Sequence, residues 1–376
     1  MKKNILQLGH KFYELDREKA TLAEFGNPAN HLALAELKPD GPGYVYVDYD
    51  PGRKRIEPAE SPEITDDSKT RIIIPYVTLQ EGFENDQKLI DLFNTTSKLN
   101  NWNLAFISND YYNRLNGELP VVDVHGEPFK VNTDYLLLAD DYGREINIRG
   151  VAAEDGRYHI DVYLGDELNP EPVRASVPQF VKTDPVGICQ KYEMNWNELP
   201  ERDSDLRSNP QNLELRAEGK LPTLGIGNDV FIVDVNNDEL RYKDLPITIA
   251  NLENLPLDEN GWNHQIYYNE KTKEPVEISE DTTELPKDVV MVTFPQSMAL
   301  DPYGYEQLNE MHGHDLNYYN KFYPIRSHTM AQITRIEDSP LKELVERNLK
   351  AREQHKNADN KQRHTNERKK KRGLGH

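Results

Sequence analysis

Two segments of this chain are versions of one another, and that narrows the folds open to it more than any property of its composition. Residues 219–236 read Gly-Lys-Leu-Pro-Thr-Leu-Gly-Ile-Gly-Asn-Asp-Val-Phe-Ile-Val-Asp-Val-Asn. Residues 117–134 read Gly-Glu-Leu-Pro-Val-Val-Asp-Val-His-Gly-Glu-Pro-Phe-Lys-Val-Asn-Thr-Asp. A weaker third version opens the chain, where Ile5, Leu6, Leu8, Gly9 and Phe12 take the corresponding places. Self-similarity of this kind implies tandem copies of one supersecondary unit, here of about 100–115 residues.

The spacing is consistent with that reading. Leu119-Pro120 and Phe129 stand 102 positions before Leu221-Pro222 and Phe231, and Gly9 and Phe12 stand 117 before Gly126 and Phe129. From a strand-ending proline to the next Leu-Pro is 44 residues at Pro75 and 43 at Pro178. The expected units are therefore 4–116, the most divergent, then 117–218 and 219–340, followed by a helix and basic tail at 341–376.

Each unit reads as strands with a few short helices. Ile5–Leu8 and Phe12–Leu15, Val121–Val124 and Phe129–Val131, and Leu224–Ile226 and Phe231–Val235 predict opening strand pairs around tight turns. The Tyr-Val-Tyr-Val-Asp-Tyr run at 44–49 predicts a strand, matched by Tyr158–Tyr163 and His264–Tyr268. Arg71–Pro75, Val173–Pro178 and Val289–Pro295 predict strands ending in proline. Ala29–Leu37 has a helical pattern, and Glu57–Thr70, rich in Pro, Ser and acid, reads as a loop. Leu89, Ile90, Leu92 and Phe93 are spaced for an amphipathic helix over Asp86–Lys98. The expected class is α+β: three related units, each a small, mostly antiparallel sheet with short helices.

The later two units share Pro178-Gln179 and Pro295-Gln296, followed by Asp184-Pro185-Val186-Gly187 and Asp301-Pro302-Tyr303-Gly304. Asp then Pro suits a helix start, because the carboxylate accepts from free N–H groups and proline has no N–H to leave unpaired. Asp184 and Asp301 are therefore expected to be helix caps. Short helices then follow over Ile188–Met194 and Tyr305–Met311. Leu341, Leu344, Val345 and Leu349 form a narrow stripe on a last helix after Ser339-Pro340, expected to dock by its first turns and fray outward.

Charge is polarised along the chain. Residues 341–376 carry a net +7 while the whole chain carries −20, so the first 340 residues hold −27. Lys361, Arg363, Arg368, Lys369, Lys370, Lys371 and Arg372 put seven cations within twelve residues, opposed by Glu367. Such a run first suits a solvated terminus, then non-specific phosphate contact with steep salt dependence, then docking on an acidic protein surface. No aromatic residue interleaves it, as a single-strand binder would favour. The acidic body reads mainly as a solubilising surface.

Hydrophobic content of 36% and mean hydropathy of −0.81 are low, yet the patterned strands argue for folded units with much polar loop. Twenty Tyr against ten Phe suit strands with one wet face. A single cysteine, Cys189, excludes an internal disulfide and a cysteine-based zinc site. Lys2 and Lys3 precede an apolar run broken at Gln7, Gly9 and His10, so no signal peptide is expected, and no stretch reaches spanning length. A cytoplasmic location without membrane association is the expectation.

No catalytic motif stands out. His312-Gly313-His314-Asp315, with His328 further on, is the most metal-like cluster, but Gly beside Asp suits a turn as well and no third ligand is specified. Gly225-Ile226-Gly227 continues into a strand pattern instead of a phosphate-binding helix. Cys189, with Lys191 nearby, reads as a small core residue and not a nucleophile. No cofactor or metal is expected.

Residues 221–241, Phe294-Pro295-Gln296 with Asp301-Pro302-x-Gly304, and the basic C-terminal end resemble uncharacterised repeat-containing proteins of bacterial conjugative and integrative mobile elements. The resemblance covers mainly residues 175–350, and the first unit lacks the Asp-Pro-x-Gly element. It implies a mobile-element setting and supplies no catalytic residue. The leading expectation is a non-enzymatic accessory protein whose units form a protein-binding platform for an unidentified partner. Nucleic-acid binding through the tail is the first rival, and a hydrolase with an unrecognised site, first sought at His312, His314 and Asp315, is the second.

Overall fold

The computed structural model describes residues 4–354 apart from 42, 51–54, 60, 62, 64–65, 67–68, 81, 84–85, 164–171, 244–246, 260 and 309–321. The chain is a mixed α+β protein of several small sheets, and it divides into two compact units, Met1–Asn209 and Pro210–His376.

The first unit opens with a meander of β1 (Asn4–Leu8), β2 (Lys11–Asp16), β3 (Thr21–Glu24) and β4 (Asn27–Ala33). A second sheet follows, with β5 (Tyr44–Asp50) between β6 (Arg55–Ala59) and β7 (Thr70–Pro75). Helix α1 (Gln87–Asn100) leads into β8 (Leu104–Ile107), which pairs antiparallel on the outer side of β1. Asp86 caps α1 by accepting from the Leu89 N–H, and Ile90 and Phe93 bury against Phe83 and Phe106. After the one-turn helix α2 (Tyr112–Leu115) comes a second meander, β9 (Val121–Val124), β10 (Glu127–Asn132), β11 (Leu137–Ala139) and β12 (Glu145–Asn147). Its companion sheet is β13 (Ala153–Glu154), β14 (Arg157–Val162) and β15 (Val173–Pro178), followed by α3 (Phe180–Thr183) and α4 (Pro185–Tyr192).

The second unit begins with α5 (Pro210–Ala217) and a third meander, β16 (Thr223–Ile226), β17 (Asp229–Asp234), β18 (Glu239–Tyr242) and β19 (Thr248–Ala250). Its other sheet contains β20 (Asn263–Asn269), β21 (Glu274–Val276) and β22 (Val289–Pro295). Helices α6 (Ser297–Leu300) and α7 (Pro302–Leu308) precede β23 (His328–Met330), which joins β16, and β24 (Gln332–Arg335), which joins β22. Among the described strands every pairing is antiparallel except β16 with β23. The last helix, α8 (340–354), buries Leu341 and Val345 against Val289 and Ile336. It is held further along than its apolar stripe suggests, because Asn348 donates to the Glu280 and Thr282 carbonyls and Arg352 to the Thr283 hydroxyl.

The meanders share one hydrogen-bond register. Leu6 faces Tyr13, Val122 faces Phe129 and Leu224 faces Phe231; Leu15 faces Leu22, Val131 faces Leu138 and Val233 faces Leu240. Corresponding residues of the first three strands therefore stand 116 and 102 positions apart, with Tyr13, Phe129 and Phe231 each fully buried in its own core. This corrects the expected match of Phe12 to Phe129. Period-two alternation sends Phe12 to the opposite face of β2, where it packs with Ile5, Val186 and Cys189. Two-residue turns fix the register: Gly9 and Gly227 take left-handed φ of +61° and +60°, the backbone a primed hairpin turn requires.

Two local expectations fail. Ala29–Leu37 is not helical; β4 covers Asn27–Ala33 and only a 3-10 turn follows at Leu34–Glu36. Asn30 and Leu32 bury on alternate positions and β4 pairs with β3, so tertiary pairing overrides helix propensity. The Glu57–Thr70 loop loses its start to β6, whose Pro58 sits on an edge strand where no N–H is needed.

Candidate functional site

The Asp-Pro-x-Gly elements are built alike. Asp184 precedes α4 and accepts from the Gly187 N–H at 2.9 Å; Asp301 precedes α7 and accepts from the Gly304 N–H at 3.1 Å. Both carboxylates are buried. Burial of a charge requires a counter-charge, and in each case an arginine supplies it. Arg114 Nε donates to Asp184 at 2.9 Å, and Thr133 Oγ1 donates to its other oxygen at 2.5 Å. Arg216 donates to Asp301 through Nε and Nη2, both at 2.9 Å, and its guanidinium lies 4.8 Å from the centre of the Tyr303 ring. The glycines are required sterically. A Cβ on Gly187 would lie 2.0 Å from Asp184 Oδ2, and one on Gly304 would lie 2.3 Å from Asp301 Oδ2. These are clasps that hold α4 and α7 in place, and every polar atom of the carboxylates faces a donor.

The arginines were missed in the sequence, although a signal exists. Arg114-Leu-Asn-Gly117-Glu-Leu119-Pro120 and Arg216-Ala-Glu-Gly219-Lys-Leu221-Pro222 share an Arg-x-x-Gly-x-Leu-Pro pattern, and each arginine clasps the aspartate of the next Asp-Pro-x-Gly.

A second polar cluster surrounds Glu24. This buried carboxylate accepts from Asn30 Nδ2 at 2.7 Å and pairs with Lys11 Nζ at 3.2 Å. Asn30 also donates to the Tyr13 hydroxyl at 3.3 Å. Burial, then the charge of Glu24, pushes the Tyr13 phenol well above its ordinary pKa, so it stays protonated. Close by, His10 Nε2 and the Tyr49 hydroxyl share a hydrogen bond of 2.8 Å, and burial again raises the phenol. A small pocket of about 90 Å³ touches His10, Lys11, Glu24 and Glu193; a shallower cleft of about 380 Å³ runs past Glu14, Asp16, Lys19 and His31. Tyr13, Glu24 and Asn30 tie β2, β3 and β4 together, and Tyr49 ties β5 to the turn between β1 and β2.

Asp203 forms a third cluster. It accepts from the Phe180 N–H at 2.7 Å, the Val181 N–H at 2.8 Å and the Tyr158 hydroxyl at 2.6 Å, so it caps α3 from a distant turn. Burial raises its pKa, partly offset by those donors.

Cys189 is fully buried, and burial pushes its thiol pKa well up, the reverse of what a nucleophile needs. Lys191 does not serve it; its ammonium donates to the Thr133 carbonyl at 2.9 Å and the Asp134 carbonyl at 3.1 Å. His328 is taken up in strand pairing, with Nδ1 2.7 Å from Thr223 Oγ1. His312, His314 and Asp315 lie outside the described residues, as do Lys361, Arg363, Arg368, Lys369, Lys370, Lys371 and Arg372. Among the described residues no group of three His, Cys, Asp or Glu side chains could hold a metal ion, and no described helix is long and apolar enough to cross a membrane.

Apolar side chains do gather at one exposed place. On α1, Leu89, Leu92 and Leu99 are exposed, the last two at 64% and 79%, while Ile90 and Phe93 are buried. Exposed Tyr76 and Val77 precede them in a 3-10 turn. Grouped apolar exposure of this kind marks contact surfaces more often than chemistry.

Comparison of the chain with protein-family models, with curated proteins and with solved structures finds no match.

Proposed function

We propose that this chain is a non-enzymatic interaction protein made of three tandem related α+β units, which together present a platform for a protein partner. The observation that carries the reading is the shared register of the three meanders, with equivalent core residues at constant separations of 116 and 102 positions. Repetition of a unit enlarges a surface without repeating a catalytic centre. Four carboxylates support the same reading: the buried Asp184, Asp301 and Glu24 and the half-buried Asp203 are each engaged with internal donors. The resemblance of residues 175–350 to mobile-element proteins favours an accessory role in that setting.

The test is cross-linking mass spectrometry in cells that carry the native gene. The expected result is recurrent links from surface lysines such as Lys130 and Lys273 to one protein. Turnover of a small molecule by purified protein, or links confined to the tail, overturns it. The seven cations within residues 361–372 favour a second reading, an accessory factor that contacts DNA through the tail. Duplex and single-stranded DNA titrated with full-length and 1–360 protein across a salt series decides that one: binding with a steep salt slope, lost on truncation, is its signature.

A further inference from the structure

We propose that the outer edge of β9 is a strand-docking site for an extended segment of a partner protein, one that alternates aliphatic residues and sets a Lys or Arg beside Asp123. The proposal rests on the interaction-protein reading and assigns it a surface and a partner chemistry.

The common register makes Ile5, Val121 and Thr223 equivalent, and likewise Gln7, Asp123 and Gly225. At β1 these positions pair outward with β8, Ile5 opposite Ile107 and Gln7 opposite Ala105. At β16 they pair outward with β23: Thr223 N–H donates to the Ser327 carbonyl at 3.1 Å, and the Gly225 carbonyl accepts from Ala331 N–H at 2.8 Å. The second meander has the same backbone over its first three strands and, among the described residues, no fifth strand. Val124 and Glu127 flank the turn, and Val131 N–H donates to the Pro120 carbonyl at 2.7 Å. Antiparallel alternation therefore turns the N–H and C=O of Val121 and Asp123 away from β10. Among the described residues nothing pairs with them, and both residues are exposed, Val121 at 57%.

The reason for the opening is also on the chain. In the second unit the segment after α7 returns as β23. The segment after α4 goes elsewhere: Asn195 Nδ2 donates to the Gly9 carbonyl at 2.8 Å, Trp196 N–H to Gln7 Oε1 at 2.5 Å and Asn197 Nδ2 to the Leu104 carbonyl at 2.9 Å. It covers the first meander; β15 lies near β9, with His125 Nε2 2.9 Å from the Arg174 carbonyl, but among the described residues no strand pairs with the outer edge of β9.

Since β8 is antiparallel and β23 parallel on equivalent positions, this backbone accepts a strand in either direction. Backbone pairing supplies affinity in such additions and side chains supply selection. At Gly225 the His328 and Met330 side chains occupy the space a Cβ would need. Asp123 places a carboxylate there, with Oδ1 already accepting from the Gly126 N–H at 3.0 Å, so a cation on the incoming strand is favoured. A second copy fits less well: two β9 edges would bring the Asp123 carboxylates together on chains of net charge −20.

The experiment pans full-length protein against a displayed library of random ten-residue peptides and titrates the winning synthetic peptide by fluorescence anisotropy. Expected winners alternate aliphatic residues around a Lys or Arg. Val121→Pro, which removes an outward N–H that β10 does not use, should weaken binding about fivefold to tenfold, as loss of one backbone hydrogen bond does. Asp123→Asn should weaken it less and reduce its salt dependence. Hydrogen exchange should slow at the Val121 and Asp123 amides on peptide addition, a readout that stands even if the proline variant fails to fold. No enrichment, or binding indifferent to both variants with unchanged exchange at these amides, overturns the docking site. A cellular partner still cross-linked to Val121→Pro protein would overturn this edge while leaving the platform reading standing; absence of any partner would overturn the platform reading itself.

Discussion

Arg216 holds Asp301 through a bidentate pair, Nε to Oδ1 and Nη2 to Oδ2, both at 2.9 Å and both residues buried. Removing one partner strands the other charge, so Arg216→Ala should destabilise the second unit by about 3–5 kcal/mol. Arg216→Lys should recover little, because an ammonium cannot reproduce the planar fork. Urea unfolding of the full chain, followed by the fluorescence of Trp262 in this unit, reads both.

Glycine to alanine inside a helix ordinarily stabilises by about 0.5–1 kcal/mol. At Gly187 and Gly304 the sign should reverse, since the new Cβ would meet the capping carboxylate at 2.0 and 2.3 Å. Loss of about 2 kcal/mol or more is expected at each, by cap disruption and buried-charge exposure. Thermal unfolding of the two alanine variants checks it; a neutral or stabilising result at either would mean that the clasp does not hold its helix.

His264 is a buried histidine on β20 whose two ring nitrogens make no well-formed hydrogen bond, and it packs against Phe294. Burial holds its pKa below the ordinary value, against a smaller opposing pull from the backbone at Leu255 and Pro256. The native state thus binds the proton less readily than the unfolded chain. Its contribution to stability is complete above the unfolded value near 6.5 and falls as pH drops below it. His264→Phe should flatten the stability profile below the unfolded value near 6.5 and raise stability there. Asp203 acts with the opposite sign: its pKa is raised, so its contribution is present below the unfolded value of 3.8 and is lost as pH rises through the native one. Denaturant midpoints measured across pH for wild type, His264→Phe and Asp203→Asn separate the two.

Cys189 should react with a thiol reagent only when the first unit opens. Its side chain is fully buried and its thiol is held protonated. The labelling rate should therefore follow the opening equilibrium and rise with urea. Fast labelling of the native protein would show that α4 moves independently of the clasp at Asp184.

Much of the strand layout was legible because it rests on local physics. Val289–Pro295 has the bounds that its Val-rich run and closing proline imply, and Val173–Pro178 ends at its proline as the same pattern implies. The apolar spacing of Leu89, Ile90, Leu92 and Phe93 likewise made α1 readable, and the cap at Asp86 was found only in the structure. What escaped depended on distant partners. Leu104–Ile107 is too short to signal a strand by itself and becomes one beside β1. Arg114 and Arg216 looked like ordinary surface cations until the aspartates 70 and 85 residues later met them. The one-residue slip at Phe12 arose because two aromatic residues, Phe12 and Tyr13, stand side by side and only hairpin pairing tells which faces the core.

The contacts of Asn195 and Trp196 with Gly9 and Gln7 also bear on where this chain tolerates a cut or a fusion. A break near residue 116 would separate two segments that complete each other, leaving the Gln7 amide and the Gly9 carbonyl bare on one fragment and the edge of β9 still open on the other. A break between Asn209 and Pro210 follows the chain's own division. Genetic exchange between relatives would then be tolerated at that seam, and the first 209 residues would be inherited as an indivisible block.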